Sequence, residues 1–211
     1  MANDLPVHVV DDDIAVRQSL AFLFATAGIS TRLHDSAQAF LQLSPDETIG
    51  CLVTDIRMPG IDGLELQRLL KQRGNTIPVI VITGHGDVPL AVAAMKEGAV
   101  DFIEKPFDDE AILRAVRAAL DSHGRALAKQ SATAEIGTRL SSLSERERQV
   151  LEGLVEGHAN KTIALNLSIS PRTVEIYRAN LMTKMQASSL SELVRMAVAA
   201  GLADRRDAAD R

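Results

Sequence analysis

Residues 51–60 read CLVTDIRMPG, and this stretch decides the fold of the N-terminal half. Its first four residues are mainly apolar or β-branched, and they run directly into Asp55. A short apolar run of this kind is typical of a strand that helices cover on both faces, as in parallel sheets. The Met-Pro-Gly turn that follows ends the strand. Further strands are predicted at 7–11, 30–34, 78–83 and 100–104.

Helical patterns separate these five strands. They cover 14–27, 37–43, 64–73, 89–97 and 108–120. Strands that alternate with helices form βα units, and five such units predict a doubly wound, five-stranded parallel sheet. We therefore assign residues 1–122 to one α/β domain.

The sequence changes character after residue 122. Residues 123–140 are rich in Ala, Ser, Thr and charge, which predicts a linker whose beginning continues the preceding helix. Residues 141–203 show only helical patterns, so we expect an all-α four-helix domain there and a disordered tail at 204–211. Charge also differs, since 1–137 carry 12 Lys and Arg against 19 Asp and Glu, whereas 138–211 carry 11 against 9. This asymmetry suggests two domains with different partners.

Composition also bears on where the protein acts. Cys51 is the single cysteine, so no internal disulfide is possible. No apolar run approaches the roughly 18 residues that a membrane span requires. The N-terminus lacks the basic-then-apolar order of a secretory signal. We therefore expect a cytoplasmic protein without a membrane segment.

Polar side chains follow four of the predicted strands. Asp11, Asp12 and Asp13 end the first strand, Asp55 the third, Thr83 the fourth and Lys105 the fifth. Because the carboxyl ends of parallel strands share one edge of a sheet, these groups are expected to meet. Grouped carboxylates favour a hard cation such as Mg²⁺, and an aspartate beside it can accept a phosphoryl group. The alternative is that these aspartates only cap helices, which suffices for Asp13.

The motifs VVDDD, LVTDIRMPG, VITGHG and FIEKPF resemble those of two-component response-regulator receivers over residues 5–121. That resemblance implies a flavodoxin-like fold with Asp55 as phosphoacceptor. It implies that Asp11, Asp12, Asp55 and the Arg57 carbonyl bind Mg²⁺. It further implies a cis Lys105–Pro106 bond. The residues that it implies for phosphate binding and for the conformational switch are Thr83, Gly84, Phe102 and Lys105.

The C-terminal half contains the signals of a helix-turn-helix. Ser144 and Glu147 form a potential capping box, and Ser170-Pro171 is a cap followed by proline at the first helical position. On the helix after Ser170, an apolar stripe faces the core, and the opposite face carries an exposed Ile176 that can contact a thymine methyl in a major groove. The predicted DNA contacts are Lys161, Arg172, Thr173, Glu175, Ile176, Arg178, Ala179, Asn180 and Lys184, of which Lys161, Arg172, Arg178 and Lys184 are assigned to phosphates.

Residues 141–202 resemble the LuxR-type helix-turn-helix, and the two halves together resemble the FixJ subfamily of response regulators. The resemblance implies a transcriptional activator that is phosphorylated by a sensor histidine kinase, dimerises, and binds promoter DNA and RNA polymerase. It also implies control of nitrogen-fixation or microaerobic genes through a haem-based oxygen sensor. Regulators of nodulation and aromatic catabolism are the alternative.

Family behaviour and a shared helix face place the dimer surface at Val88, Val92 and Lys96. Two rival functions remain open. Aspartyl-phosphate phosphatases use a similar sheet, but they typically need a second carboxylate two residues after the nucleophile, where this chain has Arg57. We therefore expect no enzyme activity beyond the protein's own phosphorylation and dephosphorylation. The second rival is an interaction protein whose helical half binds protein instead of DNA.

Overall fold

Five parallel strands form the sheet of the N-terminal half. A computed structural model describes residues 5–84 and 88–202, so the predicted tail at 204–211 lies outside the described residues. The chain divides into two compact units between Leu127 and Ala128. The strands are β1 (Val7–Val10), β2 (Thr31–His34), β3 (Cys51–Asp55), β4 (Val79–Thr83) and β5 (Asp101–Glu104).

The strand order is β2-β1-β3-β4-β5, and every neighbouring pair is parallel. The register sets Asp55 opposite Ile82 and Thr83 opposite Glu104. The ends of β1, β3, β4 and β5 therefore lie along one edge, which is the geometry that the sequence predicts. The inner strands β1, β3 and β4 are buried along their whole length, as their apolar runs require.

Helices cover both faces of the sheet. Alternate strand residues such as Val53 and Ile80 pack with α1 and α5, whereas Leu52 and Val81 pack with α2, α3 and α4. This alternation follows from the two-residue period of a strand. The helices are α1 (Ile14–Thr26), α2 (Ala37–Leu41), α3 (Gly63–Gln72), α4 (Val88–Glu97) and α5 (Asp109–Ser141).

The predicted linker at 123–140 is helical throughout. Helix α5 continues without a break to Ser141, well past the predicted overrun. Most residues of this segment are Ala, Leu, Lys, Gln, Glu or Arg, which have high helix propensity. At its end, Ile136 and Leu140 pack against the core of the C-terminal unit. The low apolar content indicated exposure, and it was wrong to infer irregular structure from it.

Four further helices complete the C-terminal unit, and two of them begin at the predicted serine caps. The Ser144 hydroxyl and the Glu147 carboxylate form the predicted capping box, and Ser170 accepts from the Thr173 amide. The predicted stripe of Val174, Leu181 and Met185 is fully buried. The helices are α6 (Glu145–Val155), α7 (Asn160–Asn166), α8 (Pro171–Met185) and α9 (Leu190–Ala199). Within 5–84 and 88–202, no helix has both the length and the apolar character needed to cross a bilayer.

Candidate functional site

Two carboxylates and one ammonium meet at the carboxyl edge of the sheet. The Lys105 ammonium nitrogen lies 2.9 Å from a carboxylate oxygen of Asp55 and 3.0 Å from one of Asp11. Asp11 is 2 % exposed and Asp55 7 %. The three residues come from the ends of β1, β3 and β5, which the sequence separates by up to 94 positions. The parallel sheet alone brings them together.

Backbone amides orient both carboxylates. The second oxygen of Asp55 accepts from the Arg57 amide at 2.7 Å, and the second oxygen of Asp11 accepts from the Asp13 amide at 2.9 Å. Asp13 itself accepts from the Ala15 amide and caps α1, so the capping alternative is confirmed for Asp13. Asp11 and Asp55 are instead held as a pair beside Lys105.

The site has more negative than positive charge. Burial raises the pKa of Asp11, and the hydrogen bond and charge of Lys105 offset this effect only in part. Burial acts to lower the pKa of Lys105, but its hydrogen bonds to Asp55 and Asp11 and their charges outweigh burial, so that this pKa is raised. One ammonium therefore serves two buried carboxylates and leaves them incompletely neutralised.

The predicted switch residues lie on β4 and β5 or directly after these strands. Thr83 is buried at the end of β4, and its carbonyl accepts from the Lys105 amide at 2.7 Å. Among the described residues, which leave out 85–87, a side-chain carbon added at Gly84 would meet no atom within 4 Å, so these residues leave open space beside Thr83. Phe102 is half-buried and packs against the core under α4. The Lys105–Pro106 bond is cis, as the resemblance implies.

Gly63 supports the site, and sequence reasoning missed it. A side-chain carbon at this residue would lie 2.2 Å from the Asp55 carbonyl oxygen, and the Gly63 amide donates to the Ile56 carbonyl at 3.0 Å. The first turn of α3 therefore approaches the end of β3 at a distance that only glycine allows. The signal available in the sequence was the spacing of this glycine eight residues after Asp55.

An open depression beside the carboxylates provides further oxygen atoms. Asp12, which is exposed, and Arg57 line it together with Asp62. Among residues 5–84 and 88–202, no three carboxylate, imidazole or thiol groups form a metal-ligand cluster by themselves. Mg²⁺ commonly binds through one or two carboxylates and keeps several waters, so an all-oxygen set of this size fits it.

The predicted dimer residues lie on an apolar surface. Val88 is 76 % and Val92 45 % exposed, and Lys96 is exposed on the same helix. Sequence reasoning missed two neighbours, Met95 and Val100, each 50 % exposed. Exposed large apolar residues that cluster in this way mark interaction surfaces.

The predicted DNA face of α8 is exposed. Ile176 has 56 % of its surface in solvent, and Arg172, Glu175, Ala179 and Asn180 are exposed as well. Thr173 is half-buried, and its hydroxyl lies 2.8 Å from that of Ser170. Lys161 is exposed on α7.

Two of the four predicted phosphate contacts have polar partners within the C-terminal unit. Arg178 donates to the Asn160 side-chain oxygen at 2.7 Å, and Lys184 lies 2.7 Å from the carboxylate of Glu147. Periodicity places both residues on the surface of α8, but it does not reveal these partners.

Comparisons with known proteins agree with this geometry. Residues 7–117 match the family described as response regulator receiver domain, and residues 141–197 match the bacterial regulatory proteins of the luxR family. The transcriptional regulatory protein FixJ of Azorhizobium caulinodans is 61 % identical over 99 % of both chains.

Two further relatives extend the comparison. The response regulator TodT of Pseudomonas putida is 44 % identical over 90 % of this chain and 84 % of its own. The solved structure of the response regulator StyR superposes with a TM-score of 0.82 at 41 % identity, and the match covers 90 % of this chain and 96 % of StyR. The chain thus belongs to the FixJ-type two-component response regulators, in which a receiver domain precedes a LuxR-type DNA-binding domain.

Proposed function

We propose that Asp55 accepts a phosphoryl group from the histidine of a sensor kinase and that this reaction switches the protein to its DNA-binding form. The observation that carries the proposal is the buried pair of Asp11 and Asp55 around a single Lys105 ammonium. An Asp55 oxygen forms the new bond to phosphorus while the phosphorus–nitrogen bond to the kinase histidine breaks. Lys105 then neutralises charge on the transferred group.

Asp11, Asp12, Asp55 and the Arg57 carbonyl would hold Mg²⁺ at this site. The excess of carboxylate over ammonium supports this assignment. When bound, the ion would neutralise charge on the phosphoryl oxygens. Gly84 leaves room for the incoming group, and the Thr83 hydroxyl hydrogen-bonds one of its oxygens. The half-buried Phe102 then turns inward as Thr83 moves.

Dimerisation is the proposed output of this switch. The apolar surface of Val88 and Val92, with Lys96 beside it, is where two phosphorylated receivers associate. A dimer places two α8 helices on two half-sites, which raises affinity through effective concentration. The predicted contacts on DNA are Arg172, Thr173, Glu175, Ile176, Arg178, Ala179, Asn180 and Lys184 on α8, with Lys161 on α7.

The identity to FixJ supports a transcriptional activator that works with RNA polymerase on nitrogen-fixation or microaerobic promoters, with a haem-based oxygen sensor as its kinase. It acts where promoter DNA lies, in the cytoplasm. The similarity to TodT keeps another pathway as the alternative. Because Arg57 stands where phosphatases carry their acid–base residue, we propose no turnover of external substrates.

Analytical sedimentation tests the switch. Wild type, Asp55→Asn and the exposed-site control Asp46→Asn are compared with and without Mg²⁺ and beryllofluoride. We expect wild type and the control to become dimers and Asp55→Asn to stay monomeric. Dimerisation of Asp55→Asn would refute Asp55 as the switch residue. The absence of a dimer in wild type would refute dimerisation as the output of the switch.

Three further assays address the other parts of the proposal. The charge reversal Lys96→Glu is expected to abolish the dimer without reducing beryllofluoride binding. Release of phosphate from p-nitrophenyl phosphate at a sustained rate would favour the phosphatase rival. Retention on heparin that falls steeply with salt is expected for a DNA-binding protein, and its absence would favour the protein-interaction rival.

A further inference from the structure

A buried carboxylate connects the first and third helices of the DNA-binding domain. Glu147, in the first turn of α6, is 4 % exposed. One of its oxygens lies 2.8 Å from the Ser144 amide, 2.9 Å from the Ser144 hydroxyl and 2.7 Å from the Lys184 ammonium. Lys184 belongs to the last turn of α8. This single oxygen therefore fixes the start of α6 to the end of α8.

The Glu147 carboxylate interacts with Lys184 and Ser144, which both belong to the same domain. The hydrogen bond from Lys184, followed by that from the Ser144 backbone, lowers the pKa of Glu147. Withdrawal of the ammonium toward a DNA phosphate would leave the buried carboxylate without its cation, which is strongly unfavourable. The pair as a whole is neutral, so it adds nothing to the phosphate charge that the domain can neutralise.

A second contact holds the same end of α8. Arg139 donates to the Met185 carbonyl at 3.2 Å, and Met185 is itself fully buried in the core. The C-terminal turn of α8 is thus fixed by two cations, one on the helix and one outside it. Both contacts act on the helix whose exposed face carries Ile176, and neither cation is on that face.

We propose that Glu147 and Lys184 are positioning residues for the recognition helix and that Lys184 neutralises no DNA phosphate. This inference rests on the proposed DNA-binding function and corrects one contact within it. The bridge sets the angle of α8 against α6, and this angle determines whether the side chains around Ile176 reach base edges. Loss of the bridge therefore reduces discrimination between sequences more than it reduces general affinity for DNA.

Two DNA probes separate the two roles. The first is a duplex selected from a random-sequence pool by full-length wild type in beryllofluoride and Mg²⁺, and the second is a random duplex of equal length. Affinities are measured across a salt series for wild type, Lys184→Met and Glu147→Gln. Glutamine keeps the capping hydrogen bonds of a capping box, so Glu147→Gln removes chiefly the charge. Lys161→Met is the matched control for a true phosphate contact.

If Glu147 and Lys184 position α8, Lys184→Met and Glu147→Gln should each lower the ratio of affinity for the selected duplex to affinity for the random duplex about tenfold. Lys184→Met should leave the dependence of affinity on salt concentration unchanged. The control Lys161→Met is expected to weaken both duplexes equally and to reduce the slope by about one. The double variant is expected to be no worse than either single variant, since both remove one interaction. Thermal unfolding checks that each variant is folded at the assay temperature.

Three outcomes would overturn the inference. Lys184→Met would behave like Lys161→Met if Lys184 contacted a phosphate. Glu147→Gln would raise affinity for both duplexes if it merely released a cation to DNA. An unchanged ratio in both variants would mean that the bridge does not position α8. Failure of the DNA-binding proposal is separate, because wild type would then select no duplex.

Discussion

In the described part of the chain, two clusters bring a lysine to a buried carboxylate, and they differ in how completely the charge is balanced. In the receiver, Lys105 is shared between Asp11 and Asp55. In the DNA-binding domain, Lys184 serves Glu147 alone, and Ser144 supplies two further hydrogen bonds. The pKa of Asp11 is raised by burial, whereas that of Glu147 is lowered chiefly by its lysine.

The difference separates a reactive site from a structural one. A carboxylate pair that one ammonium cannot neutralise remains able to take up a cation and a phosphoryl group. The Glu147 carboxylate instead takes its hydrogen bonds from groups of its own domain, and these connect two helices. Similar lysine–carboxylate distances, from 2.7 to 3.0 Å, thus accompany opposite roles.

The largest expected effect is that of Gly63→Ala, which disturbs the backbone that carries Asp55. The added carbon would overlap the Asp55 carbonyl, so either α3 or β3 must move. We expect a loss of about 3 kcal/mol or more in the free energy of unfolding of the receiver. Chemical denaturation followed by hydrogen exchange at β3 measures it. Gly84→Ala, where open space surrounds the new carbon, is the control, and an equal loss there would contradict this account.

Next in size is Lys105→Met, which removes the shared ammonium. The rate at which Asp55 takes up a phosphoryl group from acetyl phosphate should fall about 100-fold, as for the loss of one charge-stabilising group. Phosphate-affinity electrophoresis follows the reaction. Lys129→Met, which removes an exposed lysine of α5, should react at the wild-type rate. A Lys105→Met rate within threefold of wild type would exclude the assigned role.

Opposite stability changes are expected when each cluster loses one carboxylate charge. Because the folded state raises the pKa of Asp11, ionised Asp11 is destabilising, and this effect disappears as the pH falls through that pKa. Ionised Glu147 has the opposite effect, because its folded-state pKa is lowered. It stabilises the folded domain above its unfolded pKa, and this stabilisation is lost as the pH falls through the folded-state pKa.

At pH 7, Asp11→Asn should therefore stabilise the receiver by about 1 kcal/mol while abolishing Mg²⁺-dependent activation. Glu147→Gln should destabilise the DNA-binding domain by about 1–2 kcal/mol, since Lys184 is partly exposed. Hydrogen exchange in β1 and α8 reports the two units separately, and both differences should shrink toward pH 4. Changes of the same sign in the two free energies of unfolding at pH 7 would contradict the contrast between the two clusters.

The smallest expected effect is that of Ser144→Ala. This change removes the hydroxyl donor and the cap of α6 but leaves the bridge to Lys184, so a loss of about 1 kcal/mol is expected. Exchange rates at the start of α6 measure it. Ser131→Ala, in an exposed part of α5, should change stability by a few tenths of a kcal/mol at most. A loss of selected-duplex affinity in Ser144→Ala as large as in Glu147→Gln would assign the positioning role to the cap.

Local sequence patterns predicted the layers of the receiver, the caps of α6 and α8, and the polar residues at the carboxyl edge of the sheet. These features depend on local pattern, namely apolar runs, cap chemistry and polar residues at strand ends, and each is readable within a few neighbouring residues. The core stripe of α8 was predictable for the same reason, because helical period places Val174, Leu181 and Met185 on one side.

Contacts between residues that are remote in the chain became known only from the tertiary structure. Glu147 and Lys184 lie 37 positions apart, so a surface lysine of α8 reads as a phosphate contact until its carboxylate is located. The close approach of Gly63 to the Asp55 carbonyl likewise follows from packing. Burial and ion pairing are properties of assembled surfaces, and periodicity alone does not specify which surfaces meet.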